Sequence, residues 1–159
     1  MNWKNINQWL ISLISKRKEL DYLRKFPILS GFTNHELFLF SQMLQERHFK
    51  DGEVIYQEQL PLTVIYLILK GAVELTDNYQ SIKPIILHKY QFLGIADMYN
   101  ENKRQGEAIA LKDTVLLAFS HLDYFSFIKT NHRTGVKLLN NICQALSHYI
   151  LAPSKSMQE

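Results

Sequence analysis

Two short runs in this chain could carry chemistry, Gly94-Ile95-Ala96 and Arg104-Gln105-Gly106. A glycine that opens a tight turn lets backbone N–H groups converge, and a nearby arginine adds a fixed cation. The turn at Gly94, the Arg104 guanidinium and the Gly106 N–H together form a candidate nest for a small anion. The polar run Asn100-Glu101-Asn102-Lys103-Arg104 predicts instead an exposed arginine, and Ile95 predicts a side chain filling the space beside the turn. Glu107 adds an acid just after the arginine, on a face that spacing does not assign.

Other chemistries lack their residues. The histidines at 35, 48, 88, 121, 132 and 148 are scattered, and no Cys/His cluster has zinc spacing, so no metal site is expected. There is no Gly-x-Ser-x-Gly elbow and no Gly-x-x-x-x-Gly-Lys loop, so neither an enzyme nor a bound cofactor is expected. The single cysteine, Cys143, precludes an internal disulfide, reads as a small core or interface residue, and fits a reducing cytoplasm.

The elements that would hold these runs follow from periodicity. Trp3, Ile6, Leu10 and Leu13 recur at helical spacing, which predicts an amphipathic helix over 2–24 that Pro27 ends. Thr33 followed by Glu36 predicts a capping box and a second helix to about Gln45. The period then changes. Runs at 47–49, 54–57, 64–69, 72–76, 82–88, 107–111 and 114–119 are rich in β-branched and aromatic residues and separated by turn signals, which predicts an antiparallel sandwich or roll. Gly71 sits between two of these strands, where a positive φ is needed. Ser120 caps a helix to about Lys129, and a last helix runs from about Thr134 to Leu151 before Pro153. Its Leu139, Ile142, Leu146 and Tyr149 form a short coiled-coil-like seam.

With 159 residues, the chain suits one domain with a real core, and no linker or repeat divides it. Its composition, 47% hydrophobic and 21% charged, is that of a folded chain. A net charge of +3 is too weak to imply nucleic acid by itself. No run reaches the ~20 apolar residues of a membrane span, and the N-terminus does not read as a signal peptide. The trio Lys16-Arg17-Lys18 reads as a solvated helix face.

Several motifs together carry a family resemblance. They are the entry Leu23-Arg24-Lys25-Phe26-Pro27-Ile28-Leu29-Ser30-Gly31-Phe32, the Gly52 turn, the Ile68–Gly71 turn followed by Val73, and Gly94. In this order the chain resembles the cyclic nucleotide-binding domain of the catabolite activator protein superfamily, over about Leu23 to Tyr149. The resemblance implies a mainly β fold with flanking α. That is an antiparallel, jelly-roll-like β-roll with N-terminal helices and a long C-terminal helix. It also implies a phosphate-binding cassette, in which a helical turn after Phe-Gly-Glu faces the cyclic phosphate. There the glutamate holds the ribose 2′-hydroxyl and an Arg-Ser/Thr-Ala triplet closes on the phosphate. Gly94 matches the cassette glycine, Ile95 replaces the glutamate, Arg104 matches the arginine, and Gln105 and Gly106 replace the hydroxyl residue and the alanine. A hydrogen bond to a charged group is worth roughly 1.5–3 kcal/mol, so losing the carboxylate costs about tenfold to a hundredfold in affinity.

The expectation is a degenerate cassette at Gly94, Ile95, Ala96, Arg104, Gln105 and Gly106 in a non-catalytic regulatory or scaffolding module, with a protein partner. Domain limits are 1–22 for the N-terminal helix, 23–152 for the roll with its helices and 153–159 for the tail. The N-terminal stripe Trp3, Ile6, Leu10 and Leu13 is the expected partner face, and the seam Leu139, Ile142, Leu146 and Tyr149 an expected homodimer face. One alternative is a sensor of a cyclic nucleotide or another small ligand in the modified pocket. A second is a transcription regulator lacking the usual helix-turn-helix. Sequence-specific DNA binding is not expected, because no recognition helix follows the last helix.

Overall fold

The computed structural model describes residues 20–77, 84–99 and 103–151, with the side chains of Asp77 and of 149–151 excepted. The stripe Trp3, Ile6, Leu10 and Leu13, the tail 153–159 and the Tyr149 side chain lie outside what is described. Contacts divide the chain into two units, 43–130 and a second made of 1–42 with 131–159.

Among the described residues, the unit 43–130 contains eight strands: β1 (Gln45–Phe49), β2 (Val54–Tyr56), β3 (Val64–Lys70), β4 (Ala72–Asp77), β5 (Ile85–His88), β6 (Phe92–Leu93), β7 (Gly106–Ala110) and β8 (Thr114–Ser120). They form two four-stranded sheets in the orders β1-β8-β3-β6 and β2-β7-β4-β5. Every pairing is antiparallel. This is the strand order of a jelly roll built from two Greek keys, as the motifs imply. Alternation sets the faces: on β3, Ile65 and Leu67 are fully buried while Val64 and Tyr66 are half-buried. Gly71 turns β3 into β4 at φ +97°, the positive angle that its position required. A Cβ there would lie 2.7 Å from the Cα of Thr114, so glycine is required by space as well as by angle.

Three boundaries differ from the sequence pattern. β1 begins at Gln45, so the preceding helix is shorter than its apolar run suggested. β5 starts only after Pro84. β6 is two residues long, too short to show a period, and pairs with Tyr66 and Leu67 of β3. A single helical turn, α2 (Ile95–Met98), follows it, and α3 (His121–Thr130) follows β8. The Ser120 hydroxyl caps α3 by accepting from the Asp123 N–H at 3.0 Å.

In the other unit, residues 20–23 are helical and Pro27–Leu29 form a 3₁₀ turn. Helix α1 (Asn34–Ser41) starts with the anticipated capping box: the Glu36 N–H donates to the Thr33 hydroxyl at 3.2 Å and the Thr33 N–H to the Glu36 carboxylate at 2.7 Å. The same carboxylate accepts from Lys137 Nζ at 2.7 and 2.8 Å and from the Thr134 hydroxyl at 2.9 Å, which ties α1 to α4 (His132–Leu151). Asn141 of α4 donates to the carbonyls of Ile28 and Ser30, at 3.0 and 2.9 Å. The buried row of α4 is Thr134, Leu138 and Ile142. The seam expected at Leu139, Ile142 and Leu146 is therefore split: Ile142, 2% exposed, belongs to the core, while Leu139 and Leu146 are half-exposed.

Candidate functional site

Backbone pairing fixes the arginine. The Arg104 N–H donates to the Leu60 carbonyl and the Gln59 N–H to the Arg104 carbonyl, both at 2.9 Å, and Lys103 forms a bridge with Pro61. The Lys103–Arg104 part of the cassette is thus laced to the segment between β2 and β3. From there the Arg104 side chain turns inward and is 3% exposed. The exposed arginine expected from its polar neighbours is corrected here: local polarity does not report a tertiary pairing 40 or more residues away.

Both terminal nitrogens of the guanidinium have a partner. Nη1 donates to the Asp97 carboxylate of α2 at 3.2 Å, and Nη2 donates to the Val64 carbonyl at the start of β3. The planar group lies over the Tyr56 ring, 3.7 Å from its centroid, and 6.0 Å from that of Tyr66. The two tyrosine rings are nearly parallel with centroids 6.4 Å apart, and Phe49 meets Tyr66 edge-on at 6.5 Å. Burial pushes both phenols above their usual range, while the Arg104 charge pulls the other way.

Gly94 caps α2 at φ +90°, and a Cβ there would strike the Arg104 guanidinium. The glycine therefore serves the turn and the approach of the arginine together. Ile95 is 1% exposed and Ala96 is exposed. Gln105 donates back to the Lys103 carbonyl at 3.2 Å, and Gly106 pairs with Asp77 on β4. Of the six residues named for this site, Gly94 and Arg104 are brought into direct contact, and the Gln105 amide turns back to its own loop. Glu107 shares the outward face of β7 with Ile109, since Ala108 and Ala110 are the fully buried pair. The acid at the arginine is Asp97, which sequence reasoning passed over. Its signal was a carboxylate three residues after the turn glycine. Tyr56 and Tyr66 gave none, because they read as ordinary strand aromatics.

Sharing Val64 and Tyr66 with this cluster is an open cleft of about 250 Å³, lined also by Arg47, Phe119 and Asp123. Among the described residues no group of three or more His, Cys, Asp or Glu could hold a metal ion. No helix among them is long and apolar enough to cross a membrane.

The family model described as the cyclic nucleotide-binding domain matches residues 46–131, from β1 to the end of α3. The chain belongs to that family. A Drosophila melanogaster cGMP-dependent protein kinase, isozyme 2 forms cD5/T2, is 24% identical over 138 residues, which cover 86% of this chain and 14% of the kinase. The cyclic AMP receptor protein of Thermus thermophilus is 26% identical over 106 residues, 65% of this chain and 49% of the receptor. The chain thus spans about half or less of these relatives. Among solved structures, the regulatory subunit of a cAMP-independent protein kinase A from Trypanosoma brucei matches with a TM-score of 0.71 at 17% identity, over 88% of this chain and 49% of that one. The cyclic nucleotide-binding β-roll of a regulatory family, expected from the motifs, is the fold of this chain.

Proposed function

We propose that this chain is a non-catalytic regulatory module that does not take cAMP or cGMP in the family's usual way and acts through protein contacts. The observation that carries this reading is that Arg104, which stands where the family pattern has its phosphate-binding arginine, is engaged by Asp97, the Val64 carbonyl and the Tyr56 ring. Ile95 compounds it: a buried aliphatic side chain stands where the family pattern has the ribose-binding carboxylate, so a 2′-hydroxyl entering there has no acceptor. The Trypanosoma relative supports the reading, since it pairs a structure of this fold with a cAMP-independent kinase.

Two surfaces suit such a role. On α4 the outward stripe is Val136, Leu139, Cys143 and Leu146, spaced three and four residues apart, with Val136 58% exposed. It is the face for a second copy or a partner helix. The stripe Trp3, Ile6, Leu10 and Leu13 is the further candidate for a partner protein. The single Cys143 suits a reducing cytoplasm.

A small-ligand sensor is the second reading, and the cleft beside Tyr66 is the observation that favours it. Thermal melts decide between the two. A ligand at a hundred times its dissociation constant stabilises by about 2.7 kcal/mol, so an unshifted melting temperature in millimolar cAMP and cGMP is the expected result. A rise with either nucleotide overturns the first reading.

A further inference from the structure

We infer that Asp97 is the specificity-determining residue of the cassette: its carboxylate is the anion resident on Arg104, and its charge keeps external oxyanions off the guanidinium. This rests on the reading that the cassette is satisfied from within the chain.

The geometry carries the argument. The Asp97–Arg104 pair is largely buried, with side chains 12% and 3% exposed, so its attraction is little screened by water. The carboxylate is the more exposed member, and Gly94 leaves no room between the turn and the guanidinium. The remaining contacts of Arg104, the Val64 carbonyl and the Tyr56 ring, are uncharged and hold the cation without neutralising it. Among the described residues, Asp97 therefore supplies the one opposite charge in contact with this arginine. A phosphate that displaced it would leave a carboxylate stranded beside a second anion, an arrangement that a buried site disfavours. An uncharged side chain at position 97 reverses the balance. It leaves a stacked, immobilised guanidinium with no counter-charge, and a small oxyanion then restores neutrality.

The test compares wild type with Asp97→Asn and with Asp97→Asn/Arg104→Gln. The probes are inorganic phosphate and cAMP, each against chloride at equal ionic strength. The readouts are calorimetric affinity and the Arg104 Nε–Hε resonance. The expected result is no response from wild type, an affinity at least tenfold higher in Asp97→Asn with a shift of the Arg104 signal, and loss of that binding in the double variant. A folded Asp97→Asn that binds no better than wild type overturns the inference while leaving the proposed function standing. Wild-type binding of cAMP at Arg104 overturns the proposed function itself. If Asp97→Asn does not fold, Asp97→Ser carries the same comparison; failure of both to fold makes the pair a folding requirement and also overturns the inference.

Discussion

The guanidinium carbon of Arg104 lies 3.7 Å from the centroid of the Tyr56 ring. The phenol is buried enough to hold its proton above the usual range, so the ring is neutral when it meets the cation. A cation over an aromatic face is worth about 1–2 kcal/mol where water is largely excluded. Tyr56→Leu is expected to lower the unfolding free energy by at least that amount, whereas Tyr56→Phe, which keeps the face, costs less. Urea unfolding followed by circular dichroism checks the ranking, and equal losses in the two variants would remove the stacking from the account.

The same burial sets a base limit. Tyr56 and Tyr66 hold their protons more tightly folded than unfolded, relative to a usual value of 10.0. A raised folded pKa contributes stability that is complete below the unfolded value and lost as pH rises through the folded one. Stability is therefore expected to be unaffected by these groups below pH 10 and to decline above it. Absorbance of tyrosinate should show the Tyr56 and Tyr66 phenols ionising above the usual value, and Tyr66→Phe should remove one of these late steps.

At the acid end the governing group is Glu36. Its carboxylate is held at about 2, down from 4.5, chiefly by the Lys137 ammonium and then by the Thr33 N–H, with Thr134 adding to both. A depressed folded pKa contributes stability that is present above the unfolded value and lost as pH falls through the folded one. The loss is thus expected between about pH 4.5 and pH 2. Solvent screening at this partly open site limits it to about 1 kcal/mol. Glu36→Gln should lower stability at pH 7 by a similar amount and flatten the acid limb in denaturant titrations. An acid limb unchanged in the variant would assign it to other carboxylates.

How far the sequence reaches is visible in these residues. The Thr33–Glu36 cap, the Gly71 turn and the Ser120 cap were legible because each depends on local chemistry within three or four positions. The strand runs were legible because alternation survives in a half-buried sheet. Arg104 was not, because its burial depends on pairing with Leu60 and Val64, which only the folded topology brings near. Asp97 was missed for the same reason: its place three residues after Gly94 marks it as an acid near the turn but does not name Arg104 as its partner. On α4 the offset between Leu138 and Leu139 arises because the two are adjacent in a leucine pair, and periodicity alone does not choose which one faces in.

Gly71 tests whether angle or space dominates at the β3–β4 turn. Gly71→Ala must hold a side chain at φ +97° and place its Cβ 2.7 Å from the Thr114 Cα. Strained backbone of this kind costs roughly 1–3 kcal/mol. Because the clash includes a main-chain atom, Thr114→Ala should not rescue it. That second change removes hydrogen bonds of its own, to Ala72 N–H at 3.3 Å and Lys112 carbonyl at 2.8 Å. The double variant is therefore expected to be less stable than either single one. Recovery of stability in it would place the obstruction at the Thr114 side chain.

The two sides of α4 should separate in one pair of variants. Ile142 is 2% exposed, and Asn141 next to it is bonded to the Ile28 and Ser30 carbonyls, so this side is committed to its own unit. Ile142→Ala is expected to cost about 2–4 kcal/mol of stability, the usual penalty for emptying a core site. Val136 and Leu139 lie on the side that remains open, where a charge leaves the core intact. Val136→Glu with Leu139→Glu should shift the melting temperature little yet halve the sedimentation-equilibrium mass of any dimer formed through this face. A mass unchanged between wild type and the double variant takes the stripe out of self-association. A large drop in melting temperature would instead mean that these residues pack on their own chain.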